Sequence, residues 1–550
     1  MTYKSRATYP HTPTHKSFSY HNIRTLRMSP STENANIDLF PAPSSILPHG
    51  LSPARWPGRT PESTVALREL LQENHERWHI FFNDIGFHNH ISHRLLALWA
   101  LGADEEVLKA AFKFDSMPDK ERPAFSSPER ITLANFHDHL RDEKYFSAYL
   151  HFFTDIVVAE NRDVSSVLEE FVFTGQSADT VKTQEENGRD LQPPLLISFF
   201  EGLLHALIHV GYGLEFGLSG MIVEGLALAS VHRPTPGFET LVWSSHKTLD
   251  HKGDKSKVDV ENLISGFNQS LGIDSHEARD VHAFTVLARI MKDPAMEVKK
   301  VNAEDIFAIL SENGGETSKS LRRYADQWSI YTSEPESVQR KIEELQWMNV
   351  LIFAVAGFKK LKSGEFRADF YLMHLVTTSL FLPSLVAHLP LSSQEVLLRS
   401  YFAISLAIYV ARGRPKIDPV PLFEVAMNDH MFDPVDGFTP PALNLLSSSS
   451  SSSEKDPNIW LSLITRAILH PDDHVAKFQR AVAHYANLYG STPKGYFERL
   501  GIELNGVEKI DGTLFAKAGA LAQRRLGRDR GGKSLVSFWD FEGFYEEEEQ

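Results

Sequence analysis

The segment from Glu201 to His232 places ionisable side chains inside an almost wholly apolar run. Glu201, His205 and His209 recur every four residues, so in a helix all three lie on one face. Two imidazoles one turn apart can bind one metal ion, and a carboxylate one turn away can orient the first imidazole. The structural alternative is a pair of core histidines whose hydrogen bonds are satisfied within the protein. The spacing therefore makes His205 and His209 candidate metal ligands.

Two further apolar segments also carry histidines. His90 and His93 lie one turn apart at the start of a predicted helix, and His374 lies in the least charged stretch of the chain. A metal site in the core of a helical bundle requires several apolar helices that each present a ligand to the interior. This coincidence favours a metal site formed by His205, His209, His374 and either His90 or His93.

Two other histidine motifs allow different interpretations. His75, Glu76 and His79 spell HERWH, which matches the zinc peptidase pattern HExxH, with two histidine ligands and a glutamate acting on the bound water. Phe82 stands where the longer metzincin motif needs glycine, but a third ligand elsewhere would still permit a peptidase. The motif HPDDH, residues 470–474, is first a helix start with acidic residues near its positive end, and a site role is secondary.

Composition excludes several other kinds of chemistry. The 550 residues include no cysteine, so disulfides, thiolate zinc sites, iron–sulfur clusters and cysteine nucleophiles are absent. A formal net charge of -15 argues against binding to nucleic acid or to anionic membranes, and we expect a small-molecule or protein partner. The glycines of GYGLEFG, residues 211–217, follow no predicted strand, so they do not form a dinucleotide fingerprint. Neither a P-loop nor a GxSxG elbow occurs.

Helices must position these residues. Apolar side chains recur at helical spacing in nearly every segment after Pro61, and alternating β-branched runs between turns are nearly absent. We therefore predict an all-α fold, a single large multi-helix domain with a buried histidine-rich site between helices. The segments with this spacing are Thr64–Phe82, His90–Phe112, Tyr145–Glu160, Leu195–Val231, Val281–Lys292, Val338–Phe358, Phe370–Leu382, Gln394–Ala411, Trp460–Leu469 and His474–Tyr489.

The remaining segments are predicted to lie outside the core. Residues 1–60 form a disordered or transit-like leader, of which residues 1–32 are basic, free of acidic residues and rich in hydroxyl side chains. A cytoplasmic location is expected, with mitochondrial import as the alternative. The helical domain covers residues 61–540, a solvated serine-rich loop covers 447–453, and an acidic tail covers 541–550.

The longest uncharged stretch does not predict a membrane span. Residues 370–394 contain two histidines and two prolines, which indicates a buried helix broken at Pro383.

Several blocks together resemble the questin oxidase-like family of fungal and bacterial proteins, over residues 65 to 540. Several separated blocks in the expected order make the likeness specific, although no single block is diagnostic. These blocks are NHISHRLLALWALGA, GLLHALIHVGYGLEF, EGLALASVH, DFYLMHLVTTSLFLP, ARGRP and HPDDHVAK.

The resemblance implies oxidative ring opening of an anthraquinone or related aromatic polyketide with O2, by Baeyer–Villiger oxygen insertion or as a dioxygenase. Enzymes that perform Baeyer–Villiger chemistry with flavin and NADPH use Rossmann folds, and this sequence has no flavin or nucleotide fingerprint. A histidine-held non-haem Fe(II) is then the simplest way to activate O2. An NADPH-dependent oxidase without a metal remains an alternative, and NADPH could also serve the iron enzyme.

Neutral imidazoles leave the charge of the metal ion uncompensated in an apolar core, so we expect an anionic ligand as well. Glu215 and Glu224 are candidates on the same segment as His205, and a carboxylated Lys416 is a third. The basic cluster ARGRPK, residues 411–416, would hold an anionic substrate through Arg412 or a cofactor phosphate through Arg414.

Overall fold

The computed structural model describes residues 38–84, 86–117, 120–174, 195–242, 280–298, 306–358, 366–427, 429, 432, 458–527 and 539–545. The stretch Asp38–Gln550 forms one compact unit. Residues 1–37 lie outside the described residues, as do the serine-rich loop at 447–453 and the last five residues of the acidic tail. The expectations for the leader sequence and the serine loop therefore stay predictions.

The described residues form α-helices joined by short 3₁₀ and π turns. In chain order the helices are α1 Pro61–Arg77, α2 Ile91–Ala100, α3 Glu105–Asp115, α4 Phe146–Thr154, α5 Val164–Leu168, α6 Glu201–Phe216, α7 Ser219–Val231, α8 Phe238–Leu241, α9 Ala283–Lys292, α10 Ala308–Ala325, α11 Pro335–Phe358, α12 Phe370–Ser379, α13 Leu382–Val386, α14 Leu391–Ala411, α15 Val420–Glu424, α16 Ile459–Leu469, α17 Asp473–Tyr489 and α18 Thr513–Leu526. Only isolated bridges, and no strand, occur among these residues. The predicted all-α class is confirmed.

Local sequence signals explain where the helices begin. At α1 the Thr60 side chain accepts a hydrogen bond from the Ser63 backbone, and Pro61 supplies the fixed φ of a first helical residue. Asp369 caps α12 and Asp472 caps α17, each by accepting two backbone N–H groups. The capping role predicted for the HPDDH motif is therefore confirmed.

Four helices that carry predicted site residues pack together in the core. Helix α2 contacts α6 and α17, and α12 contacts the same two helices, so the four surround one point. Helix α6 also packs along α7, from which Glu224 reaches back toward it. The uncharged stretch divides between α12 and α13, with Pro383 in the first turn of α13. This break agrees with the predicted interruption at Pro383.

Both ends of the described chain pack against the helices. Residues 38–60 contain no helix, yet Leu39 and Phe40 are buried, and the Trp56 backbone N–H donates to the Ala100 carbonyl. At the other end, the Phe544 backbone N–H donates to the Arg412 carbonyl. Residues 38–60 are thus part of the folded body, which corrects the leader predicted for residues 1–60. Residues 541–545 of the predicted acidic tail also pack against it, because Phe541 contacts the Phe370 ring. None of the described helices combines the length and apolarity needed to cross a membrane.

Candidate metal centre

Three histidines from three separate parts of the chain converge in the core. His90 precedes α2, His205 lies near the start of α6, and His374 lies in α12. One ring nitrogen of each lies within 4.8 Å of the corresponding atoms of the other two. His90 Nε2 and His205 Nε2 are 2.8 Å apart. The predicted coincidence of histidines from several helices is therefore present in the structure.

The remaining ring nitrogens fix which tautomers these histidines adopt. Nδ1 of His205 donates to the Gly202 carbonyl, and Nδ1 of His374 donates to the Phe370 carbonyl at 2.8 Å. His90 Nδ1 lies 3.3 Å from a carboxylate oxygen of Asp473, which favours a proton on that nitrogen. Each neutral ring then presents an unprotonated Nε2 to the centre.

This arrangement of lone pairs fits a metal ion. Burial lowers the pKa values of His90, His205 and His374 well below the usual range, so the rings are neutral at pH 7. Nε2 of His374 is buried and has no hydrogen-bond partner among the described residues. The 2.8 Å separation of His90 Nε2 and His205 Nε2 requires that the two lone pairs share either a proton or a cation. Three neutral Nε2 donors that converge in this way are the donor set of a histidine-bound divalent ion.

A left-handed turn positions His205 differently from the predicted regular helix. Gly202, Leu203 and Leu204 all have positive φ, 54°, 53° and 68°, at the start of α6. For leucine this conformation costs about 1–2 kcal/mol per residue. The turn aims the Gly202 carbonyl at His205 and displaces Glu201 from the shared face. Glu201 instead accepts a hydrogen bond from the Thr235 backbone at 2.7 Å, so it does not orient His205 as predicted.

His209 lies one turn from His205 but forms hydrogen bonds with His93 and Glu224. Its Nδ1 lies 2.8 Å from His93 Nε2, and its Nε2 lies 2.7 Å from a carboxylate oxygen of Glu224. The other Glu224 oxygen lies 2.6 Å from His75 Nδ1. The structure therefore places His93 and His209 beside the centre, in a hydrogen-bonded chain that ends at Glu224 and His75. Because both nitrogens of His209 are used, it does not join the three converging Nε2 atoms.

Glu224 is an anion in this chain and does not face the three histidines. Burial by itself raises the pKa of a carboxyl group, but hydrogen bonds from His209 and His75 lower that of Glu224 to about 2. Its negative charge is held by those two rings. The structure therefore does not place Glu224 as the anionic ligand.

The other predicted acidic and basic residues also lie elsewhere. Glu215 is fully buried and pairs with Arg480. Arg412 is 1% exposed and holds Asp369, the cap of α12, at 2.7 Å. Both side chains form buried ion pairs within the fold, because a buried charge needs a partner.

Arg414 and Lys416 also do not have the contacts that their predicted roles require. The Arg414 guanidinium donates to the Ile290 and Asp293 carbonyls at the end of α9. The Lys416 side chain is 76% exposed, whereas the converging histidines are buried. Lys416 cannot supply a carboxylated ligand to a buried centre from this position, and Arg414 fulfils a helix-ending role.

Helix α17 contributes Asp473, His474 and Lys477. The first two were predicted only a secondary site role, and Lys477 was not predicted as a site residue. Asp473 lies beside His90 and also 2.8 Å from His474 Nδ1, while Nε2 of His474 is buried without a partner among the described residues. Burial lowers the pKa of Lys477 to about 8, an effect that Asp473 opposes. The spacing of Asp473, His474 and Lys477 at the start of an apolar helix is the signal that could have indicated them. Asp473 is the carboxylate nearest the centre.

The HERWH motif does not form a zinc site. Helix α1 ends at Arg77, so His79 lies beyond the helix and not one turn after His75. His75 faces Glu224, whereas Nδ1 of His79 accepts the Phe81 backbone N–H at 3.1 Å. Glu76 is exposed. The geometry that the zinc peptidase interpretation needs is absent from these residues.

A surface cleft of about 530 Å³ reaches the centre. His90, Asp473, Phe82 and Phe114 are among the residues that line it. The Phe370 ring packs against His374, with 4.5 Å between ring centroids. Of the three converging histidines, His90 is the one that lines this cleft.

The sequence is similar to a known family and to several fungal enzymes. Residues 87–482 match the family described as questin oxidase-like. The chain is 25% identical to Baeyer-Villiger monooxygenase AacuH of Aspergillus aculeatus, over 79% of this chain and 81% of the relative. It is 23% identical to questin oxidase of Aspergillus terreus, over 80% and 84% of the two chains. Oxidoreductase AflY of Aspergillus parasiticus is 24% identical over 75% of this chain and 71% of its own.

Proposed function

The chain belongs to the questin oxidase-like family, and on that premise we propose that this oxidoreductase of secondary metabolism opens a ring of an aromatic polyketide with O2 at a histidine-bound iron. Questin oxidase and Baeyer-Villiger oxidases among its relatives support the reaction class. An anthraquinone or a related planar quinone is the proposed substrate.

One observation carries the metal part of the proposal. Nε2 atoms of His90, His205 and His374 converge in a buried centre, and the opposite nitrogens face acceptors. These three histidines would hold Fe(II), for which imidazole nitrogen is a suitable ligand. When bound, iron supplies the one-electron chemistry that lets O2 react with an organic substrate.

Residues around the centre orient its ligands and compensate its charge. Asp473 would fix the His90 ring and supply the negative charge that three neutral imidazoles lack. Lys477 would stabilise negative charge that develops on substrate oxygen, because a buried ammonium acts strongly in a site with little water. Phe370, which packs against His374 and lies 4.6 Å from Phe541 between ring centroids, would help exclude water from the centre.

The electron balance separates the two versions of the reaction. Insertion of one oxygen atom into a ring C–C bond consumes O2, two electrons and two protons, gives a lactone, and releases the second oxygen atom as water. Hydrolysis of the lactone by another water molecule then opens the ring. NADPH would supply the two electrons of the insertion. In the dioxygenase version both oxygen atoms enter the product and no reductant is needed, so NADPH consumption per O2 distinguishes the two.

Metal analysis coupled to O2 uptake with a hydroxyanthraquinone tests the proposal. We expect iron in the purified protein and uptake that depends on it. His205→Ala and His374→Ala should lose at least ~10-fold in metal affinity, because each removes one donor. His209→Ala should retain the metal, since His209 bonds to His93 and Glu224.

His388→Ala is the matched control, because His388 donates to the Ser384 carbonyl within α13 and its following turn. It should leave both metal content and O2 uptake unchanged. The proposal fails if wild-type protein binds no redox metal, or if His205→Ala and His374→Ala keep full metal content. Flavin absorbance in the purified protein, or NADPH oxidation without metal, would support the alternative oxidase.

A further inference from the structure

The cleft that reaches the centre contains a carboxyl group with no assigned role. Glu121 lines this cleft together with Phe82, Phe114, His90 and Asp473. Its side chain is 9% exposed, and its Oε2 atom is buried without a hydrogen-bond partner among the described residues. A buried polar atom left unpaired costs free energy unless something else satisfies it.

Neighbouring charged groups do not satisfy Glu121. Asp115, which also lines the cleft, accepts hydrogen bonds from Arg94 Nη1 on both of its carboxylate oxygens, each at 2.8 Å. The Lys120 ammonium donates to the Phe114 carbonyl at 3.0 Å and lies 3.6 Å from the centre of the Phe114 ring. The cations near Glu121 are therefore engaged with other partners, and its free oxygen is left for a ligand in the cleft.

The shape and lining of the cleft suit a flat aromatic molecule. A volume of about 530 Å³ lies within the usual range for a small-molecule site. Phe114 is 46% exposed and offers apolar surface to a molecule in the cleft, although Lys120 lies over one part of its ring. Two aromatic side chains and one unpaired carboxyl group are the combination that recognises a hydroxylated aromatic ring.

We propose that Glu121 hydrogen-bonds a ring hydroxyl group of a planar aromatic substrate in this cleft, and so determines which edge of the ring faces His90 and Asp473. The substrate class rests on the proposed function; the role of Glu121 rests on the cleft. Glu121 acts as a specificity-determining residue, because it distinguishes a hydroxylated ring from the same ring without the hydroxyl group.

The electrostatic surroundings agree with a neutral carboxyl group. Burial raises the pKa of Glu121 to about 8, and the negative charges of Asp115 and Asp473 contribute to the rise. Lys120 opposes it. A protonated carboxyl group can donate one hydrogen bond to a hydroxyl oxygen and accept another from its proton.

Equilibrium binding measured without O2 tests the inference independently of turnover. The probes are a dihydroxyanthraquinone and unsubstituted anthraquinone, titrated by absorbance against the full-length, metal-loaded protein. Wild type should prefer the dihydroxy compound. Glu121→Ala should weaken its binding by ~10-fold and leave anthraquinone binding unchanged, because only the hydroxylated ring loses a hydrogen bond. Glu121→Gln should restore most of the preference, since an amide also donates and accepts.

Glu169→Ala is the control, because Glu169 also has a buried Oε1 and a pKa raised by burial but does not line the cleft. Metal content and melting temperature show whether Glu121→Ala remains folded. Equal preference in wild type and Glu121→Ala, or no binding of the dihydroxy compound by wild type, overturns the inference. If the preference depends on Glu121 but no O2 is consumed, the proposed function fails and the role of Glu121 stands.

Discussion

At the residue scale, the role of each histidine depends on which of its two ring nitrogens is already engaged. His205 and His374 each donate Nδ1–H to a backbone carbonyl and leave Nε2 for the centre. His209 uses both nitrogens, for His93 and for Glu224. Helical spacing alone cannot separate these cases, because an imidazole one turn along a helix can rotate toward either a metal or a neighbouring side chain.

Glu224 links this histidine chain to the acid stability of the protein. Hydrogen bonds from His209 and His75 lower its folded-state pKa to about 2, below the ordinary value of 4.5. Its contribution to stability is therefore present above pH 4.5 and is lost as the pH falls through about 2. At 1.36 kcal/mol per pKa unit this contribution is on the order of 3 kcal/mol.

We predict that Glu224→Gln removes this pH-dependent part of the stability. The difference in free energy of unfolding between wild type and variant should shrink as the pH falls from 6 toward 2, because the wild-type carboxylate becomes protonated. Urea denaturation at a series of pH values measures it. A difference that stays constant over this range would contradict the contact with two histidine rings.

At the element scale, an ion pair buried at the start of α12 positions His374. Asp369 caps that helix through the Tyr371 and Leu372 backbone N–H groups, and Arg412 holds the same carboxylate. The Arg412 guanidinium also donates to the Phe541 carbonyl at 2.8 Å. Arg412 therefore connects the end of α14, the start of α12 and the C-terminal segment.

We predict that Arg412→Ala destabilises the protein by ~3–5 kcal/mol, because it leaves the Asp369 carboxylate buried without its partner. Metal affinity should fall with it, since the start of α12 positions His374. The KM for the aromatic substrate, measured on metal-loaded protein, should stay close to wild type. Arg414→Ala is the control and should change neither metal affinity nor KM. If Arg412→Ala instead keeps wild-type stability but has a raised KM, Arg412 binds the substrate as predicted from the sequence.

At the scale of the whole molecule, the centre joins segments that are far apart in sequence. His90, His205 and His374 lie more than a hundred residues apart from one another and meet only because α2, α6, α12 and α17 pack together. A metal ion bound by all three would cross-link these helices in the folded state and not in the unfolded chain. Metal binding should therefore stabilise the whole compact unit.

We predict that a chelator lowers the melting temperature of wild-type protein. The ion should contribute ~4 kcal/mol when its free concentration is a thousand times its dissociation constant. Differential scanning calorimetry before and after chelation measures the shift, and re-addition of Fe(II) should reverse it. His374→Ala should melt at one temperature in both conditions. If complete metal removal leaves the wild-type melting temperature unchanged, a metal site shared between the packed helices is excluded.

The fold class was predictable from the sequence because apolar periodicity is a local property. The spacing in segments such as Phe370–Leu382 predicts a helix whatever the rest of the chain does, and the structure places α12 there. The cap at Asp472 is equally local. His90, His205 and His374 were predictable as candidates because a titratable side chain within an apolar run needs a partner.

The tertiary structure decided how those candidates are divided between the centre and its surroundings. The left-handed turn at 202–204 changes the direction of His205. Glu215 forms an ion pair with Arg480 of α17. Asp473 lies beside His90, and Glu121 lines the cleft, although both come from other parts of the chain. The physical reason is that a charge or lone pair is assigned by whichever partner lies nearest in space. Spacing along one helix cannot encode the distance to a residue contributed by another.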